Sequence, residues 1–235
     1  MIGITTSTND YVNIYLFLNQ TFHLLYNSSW NFAVFQLLSK SAKNGNSKTM
    51  TISTMIFIAL LTLWVAEWFI FKESPRLRKE VLRGSLKAKR LVLLTFSLSL
   101  AMAFHLGKLH VEPMWMTKLC GLFFLILGLT LRYWTYAVTK SYFSRGFSYD
   151  ENRPLFSHGP FRLHRHPYQT GFFFMTLGVC LFISGHWFVL LTTFTVLGSA
   201  LHYRMSLEEE MFKVVYGEIY SYWCRHRFRI FPFLY

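Results

Sequence analysis

Apolar positions along this chain fall into long blocks separated by short polar, basic stretches. Residues 51–71, 91–106, 116–138, 168–184 and 186–201 are each near-continuous apolar runs. The first and third reach the roughly 20 residues that a helix needs to cross a bilayer. The last two are shorter and are separated only by Gly185, which predicts a tight helical hairpin that leaves one membrane face and returns to it. Gly107 is expected to close the second run, and Gly121 and Gly128 offer close-packing positions in the third. The predicted fold is all-α and integral to the membrane, with about five transmembrane helices. The chain is expected to be multi-pass.

The loops alternate in charge. Lys72, Arg76, Arg78, Lys79, Arg83, Lys87, Lys89 and Arg90 form the strongest basic cluster, whereas residues 108–113 carry few basic groups. Arg145, Arg153, Arg162 and Arg165 make the 140–166 loop basic again, and the tail from residue 203 is basic and aromatic. Positive loops stay on the cytoplasmic side, so these three segments are expected there. Residues 1–49 are polar-aromatic and read as an extension, with interfacial amphipathic stretches at 11–25 and 30–38. No positive n-region precedes an apolar h-region, which argues against a standard signal peptide. The functional unit is expected to span 50–235.

Composition agrees with lipid as the solvent. Of 235 residues, 53% are hydrophobic and only 15% charged, against about 25% charged in soluble domains. The net charge of +13 is spread between the apolar runs, which fits anionic headgroups and excludes a nucleic-acid partner. Cys120, Cys180 and Cys224 form no disulfide framework, and His158, His164 and His166 match no standard zinc spacing, so no metal is expected. Oligomeric state is not encoded in these patterns.

Candidate chemistry gathers in three places. Gly159-Pro160-Phe161-Arg162-Leu163-His164-Arg165-His166-Pro167 leads directly into the fourth run. Proline suits the first turn of a helix, so a helix is expected to start at Pro167. Its N-terminus, with Arg162 and Arg165 alongside, is suited to a carboxylate or phosphate. After the last run come Arg204 and Glu208-Glu209-Glu210, and Arg204 and Glu208 share a helical face. The hairpin makes these two clusters neighbours. The third place is the tail, where Gly217 can end a helix and Tyr216, Tyr220 and Tyr222 can cover a flat heterocycle.

These residues together resemble the isoprenylcysteine carboxyl methyltransferase family. Gly159-Pro160-Phe161-Arg162, Arg165-His166-Pro167 and Gly171 resemble its GPYR…RHPxYxG signature. Arg204 with Glu208-Glu209 resembles its R…EE element, and Tyr216-Gly217-Glu218, Tyr220, Arg225 or Arg227 and Pro232 resemble its tail. The family places Tyr two residues after the Pro. Here that position is Gln169, with Tyr168 one earlier.

The resemblance implies a membrane methyltransferase that uses S-adenosyl-L-methionine. It implies an active site facing the cytoplasm, a cofactor-covering C-terminal tail and an acceptor drawn from the bilayer, either a lipophilic small molecule or a lipidated one. It further implies that Arg165, His166, Pro167, Tyr168, Glu209 and Tyr220 hold the cofactor, and that Arg204 and Glu208 flank the transferred methyl. The acceptor group is expected to be a carboxyl or hydroxyl. Three other readings stay open: a phospholipid amine methyltransferase, a membrane reductase of related architecture, and a non-catalytic transport or scaffold protein.

Overall fold

A computed structural model describes residues 52–73, 78–79, 85–109, 115–145, 148–149 and 154–230. The expected 1–49 extension and Pro232 of the tail element lie outside these residues. Six α-helices carry the described fold: α1 Ile52–Ile70, α2 Ser85–Leu109, α3 Trp115–Thr139, α4 Pro167–Ser184, α5 Trp187–Tyr216 and α6 Glu218–Cys224. A two-residue antiparallel pair, β1 Arg78–Lys79 with β2 Ser148–Tyr149, joins two of the polar segments.

Helices α1 to α4 are long and apolar enough to cross a membrane. The fifth expected span, 186–201, is only the first half of α5. That helix runs for 30 residues, straight through the charged Arg204–Glu210 segment. Contrary to the expectation from the sequence, Gly107 does not close α2. It lies within the helix, where a Cβ would come 2.8 Å from the Ile183 carbonyl. Its role is close packing, because the helix continues to Leu109.

Helix α4 is central: all of its 18 residues are buried except Tyr168, Phe172 and Phe174. It packs against α2, α3 and α5, while α1 packs against α3. Two glycine pairs set the α3–α4 distance. A Cβ on Gly178 would lie 2.6 Å from the Gly121 carbonyl, and one on Gly171 would lie 2.9 Å from the Gly128 carbonyl. The pairs are seven residues apart on both antiparallel helices, so a glycine seam runs down the contact and lets the backbones meet. Large apolar residues such as Met55, Phe69, Leu94, Leu98, Leu119 and Phe123 point outward. That arrangement is unfavourable in water and natural against lipid.

Four hydroxyls inside the bundle are satisfied locally: those of Ser99, Thr135, Thr139 and Thr176 each donate to the carbonyl four residues earlier. Such back-bonding meets the need for internal satisfaction where no water reaches. Gly185, with φ of 68°, caps α4 in the left-handed region and turns the chain within two residues into α5. The expected hairpin is therefore present, and it returns the polar half of α5 to the N-terminal end of α4.

Candidate functional site

The N-terminus of α4 starts at Pro167, as its fixed φ dictates, with His166 at the N-cap. The His166 carbonyl accepts the amides of Gln169 and Thr170 at 3.1 and 3.0 Å and the Thr170 hydroxyl at 3.0 Å. Its imidazole is buried between two carboxylates of α5. Nε2 lies 3.3 Å from Glu209 Oε1 and Nδ1 lies 3.8 Å from Glu208 Oε2. Gln169 bridges the same helices, donating to Glu208 Oε2 at 2.5 Å.

Glu209 is the hub behind this junction. It is 3% exposed, and it accepts Arg229 Nε at 2.9 Å, Arg229 Nη2 at 2.5 Å and Arg165 Nη1 at 3.4 Å. Burial pushes its carboxyl upward, but hydrogen bonds from His166 and Arg229, with their charges, outweigh that and hold it down at about 2.

The chain after α5 straps over this arrangement. Gly217 takes φ of 58° and ends α5, as its position in the sequence predicts. Then α6 brings Tyr220 and Trp223 against Phe161, and the Trp223 indole donates to the Phe156 carbonyl at 3.0 Å. A parallel bridge joins His164 to Phe228. Its two bonds are Arg165 N to Phe228 O and Phe228 N to Leu163 O, both 2.8 Å. Arg165 also donates to the Arg227 and Cys224 carbonyls at 2.8 and 3.0 Å, and Arg227 Nε donates to the Phe161 carbonyl at 2.7 Å.

Between strap, loop and helix ends lies one cavity. Phe156 and Phe161 line it from the loop, Phe212 and Tyr216 from α5, and Tyr220 and Trp223 from α6. Arg165, His166, Pro167, Tyr168 and Gln169 form the side facing α4, and Arg204 and Glu208 the side facing α5. Thr135, Thr139, Phe143 and Arg145 close it from α3 and the segment that follows. The cavity is thus aromatic along one flank and charged along the other.

Seven of the eight residues singled out from the sequence meet at this cavity: Arg165, His166, Pro167, Tyr168, Arg204, Glu208 and Tyr220. Glu209 stands behind its wall, occupied by Arg165, His166 and Arg229. Arg162, expected beside the helix N-terminus, is exposed and does not line the cavity. Arg204 and Glu208 share the cavity face, and Arg204 Nη2 donates to the Arg145 carbonyl at 3.0 Å.

Sequence reasoning missed Gln169, Arg145, Arg229, and the Glu67–Arg132 pair. Glu67 is the one charged residue in the 51–71 run, and Arg132 lies deep in the third run. Isolated opposite charges in two apolar segments signal a buried pair. The structure forms it, with Arg132 Nε on Glu67 Oε2 at 2.6 Å and Nη2 on Oε1. Arg229 carried no such signal, because several arginines crowd the tail.

Residues 116–219, a little under half of the chain, match the profile of the phospholipid methyltransferase family. The matched stretch takes in α3 from its second residue, the α4–α5 hairpin and the first two residues of α6, and so most of the cavity wall. It points to a membrane methyltransferase and is as consistent with a phospholipid acceptor as with another lipophilic one. A search of curated proteins finds no match.

Proposed function

We propose that this chain is a membrane methyltransferase dependent on S-adenosyl-L-methionine, that the cavity over the α4 N-terminus is its active site, and that it methylates a carboxyl or hydroxyl group of a lipophilic acceptor. One observation carries the reading: a charged, helix-terminal face and an aromatic face meet in one cavity at the polar end of an apolar bundle. The positive-inside pattern supports five crossings, with the first half of α5 as the fifth, and a cytoplasmic site.

The residues present fit this cofactor. Gln169 Oε1 is a buried acceptor with no hydrogen-bond partner among the described residues, in a cavity that is also lined by a carboxylate and three guanidinium groups. The aromatic flank of Phe212, Tyr220 and Trp223 suits an adenine. Gln169 and Glu208 suit an ammonium, and Arg165 beside the first turn of α4 suits a carboxylate. When bound, the cofactor would supply an electrophilic methyl on a sulfonium centre.

The protein's part is alignment and exclusion of water. Arg204 holds an acceptor carboxylate in line. Where the acceptor is a hydroxyl, Glu208 takes its proton. Glu209 works one layer back, fixing Arg165 and His166. The family match is equally consistent with a second reading, in which the acceptor is the amine of a phospholipid headgroup.

Calorimetric titration of S-adenosyl-L-methionine into detergent-purified protein tests the reading. Saturable binding in wild type that weakens at least tenfold in His166→Ala is the expected result, and a folded wild type that takes up none would overturn it. Incubation of binding-competent protein with labelled cofactor and either a lipophilic carboxylic acid or phosphatidylethanolamine then separates the two acceptors.

A further inference from the structure

No described residue of α1 lines the cavity, yet α1 holds the only carboxylate of the first apolar run. Glu67 is fully buried against Arg132, itself 6% exposed. Placing two charges inside an apolar bundle is costly, and a well-packed hydrophobic pair commonly serves stability equally well. The contacts of Arg132 show what the pair secures. Nη2 donates to the Tyr168 hydroxyl at 2.5 Å, Nη1 donates to the Tyr168 carbonyl at 3.3 Å, and the guanidinium lies 3.7 Å over the Tyr168 ring. The Tyr168 hydroxyl in turn donates to Glu67 Oε1 at 2.6 Å.

Tyr168 is therefore held at its hydroxyl, its face and its backbone. A clamp serving only to join α1 to α3 needs none of these three contacts. Gly171, one turn on, leaves room for Arg132, since a Cβ there would sit 2.5 Å from Arg132 Cγ. Fixing Tyr168 on one side of the first turn fixes the rotation of that turn. On another side of the same turn, Gln169 meets Glu208 at 2.5 Å.

We propose that Glu67 is a positioning residue of the cavity, acting through Arg132 and Tyr168 to set the rotational register of the α4 N-terminus that presents His166 and Gln169. The proposal rests on the methyltransferase reading of the cavity. It extends the working site to a helix that lies outside the family-matched residues 116–219.

The test is a double-mutant cycle on cofactor affinity, with Glu67→Gln, Tyr168→Phe and the pair in full-length protein. Each single change is expected to weaken S-adenosyl-L-methionine binding roughly tenfold, the scale of one hydrogen bond to a charged group. The pair is expected to be no worse than either alone, because both break one linkage. Unchanged affinity in folded Glu67→Gln, or strictly additive losses, would overturn the proposal and leave a purely structural ion pair.

Hydrogen exchange of the peptide covering residues 163–172, measured without cofactor, supplies a second readout. It should quicken in Glu67→Gln while α2 and α5 stay protected, and unchanged exchange counts against the proposal. If wild type binds no cofactor, the functional reading fails, and this exchange measurement still decides whether Glu67 orders the wall. If Glu67→Gln does not fold, Tyr168→Phe, which keeps the ion pair, is read by the same exchange criterion.

Discussion

His166 and Glu209 face each other at 3.3 Å across the junction of α4 and α5, both nearly excluded from solvent. The contact joins residues 43 positions apart in sequence, and the two-residue turn at Gly185 and His186 makes it possible. Arg229 completes the group from the strap, so three separate segments converge on one carboxylate.

Acid stability should depend on that carboxylate. Its folded value of about 2 lies below the usual 4.5, so its contribution is fully present above about pH 4.5 and is lost as pH falls toward 2. Thermal unfolding in detergent should show wild type losing stability between pH 5 and 2. Glu209→Gln should start lower at pH 7 and change less over that interval. Parallel curves would refute the assignment.

The glycine seam predicts a graded response to alanine. Gly178→Ala places a methyl 2.6 and 2.7 Å from backbone atoms of Gly121 and Leu125, so the helices must separate, at a cost of about 1–3 kcal/mol. Gly198→Ala meets only the Phe173 ring at 3.5 Å and should be tolerated. Melting temperatures of the two variants give the comparison, and equal values would contradict the seam.

Arg204→Lys should separate chemistry from cofactor binding, whereas Glu208→Gln should disturb both. Both residues line the cavity from α5; the proposed task of Arg204 is alignment of the acceptor, and Glu208 is also proposed to meet the cofactor's ammonium. Turnover should fall at least 100-fold, about 3 kcal/mol of lost transition-state stabilisation. Cofactor affinity in Arg204→Lys should stay within a few-fold of wild type. Affinity falling in step with turnover would instead place Arg204 among the cofactor contacts.

Arg227 ties the strap to the loop through the Phe161 carbonyl and braces the strap's own preceding turn through the Trp223 carbonyl. Arg227→Gln should raise proteolytic cleavage within residues 218–230 and weaken cofactor binding, while the four membrane-length helices keep their thermal stability. Unaltered cleavage would show that the parallel bridge at His164 and Phe228 suffices alone.

The hairpin, the helix start at Pro167 and the helix end at Gly217 were legible in the sequence because each depends on local chemistry, whereas the residues that meet at the cavity were gathered by the family resemblance. Proline fixes φ, glycine takes positive φ, and apolar runs declare their length. Gly107 misled because a glycine that stops a helix and one that admits a neighbouring backbone look alike in sequence, and only the Ile183 carbonyl separates the two cases. The partnership of Glu67, Arg132 and Tyr168 was hidden for another reason. It joins three helices over separations of 36 to 101 residues; the isolated charges signal the Glu67–Arg132 pair, but no local pattern encodes the part of Tyr168. The tail register was likewise set by pairing with His164 and not by its own composition.

The strap carries one more consequence, for the order in which the protein is made. Residues 218–230 are made after the four helices of membrane length. Until those residues emerge, Glu209 lacks Arg229 and the aromatic flank lacks Tyr220 and Trp223. The pocket is therefore the last part of the protein to be completed, when the strap closes over it.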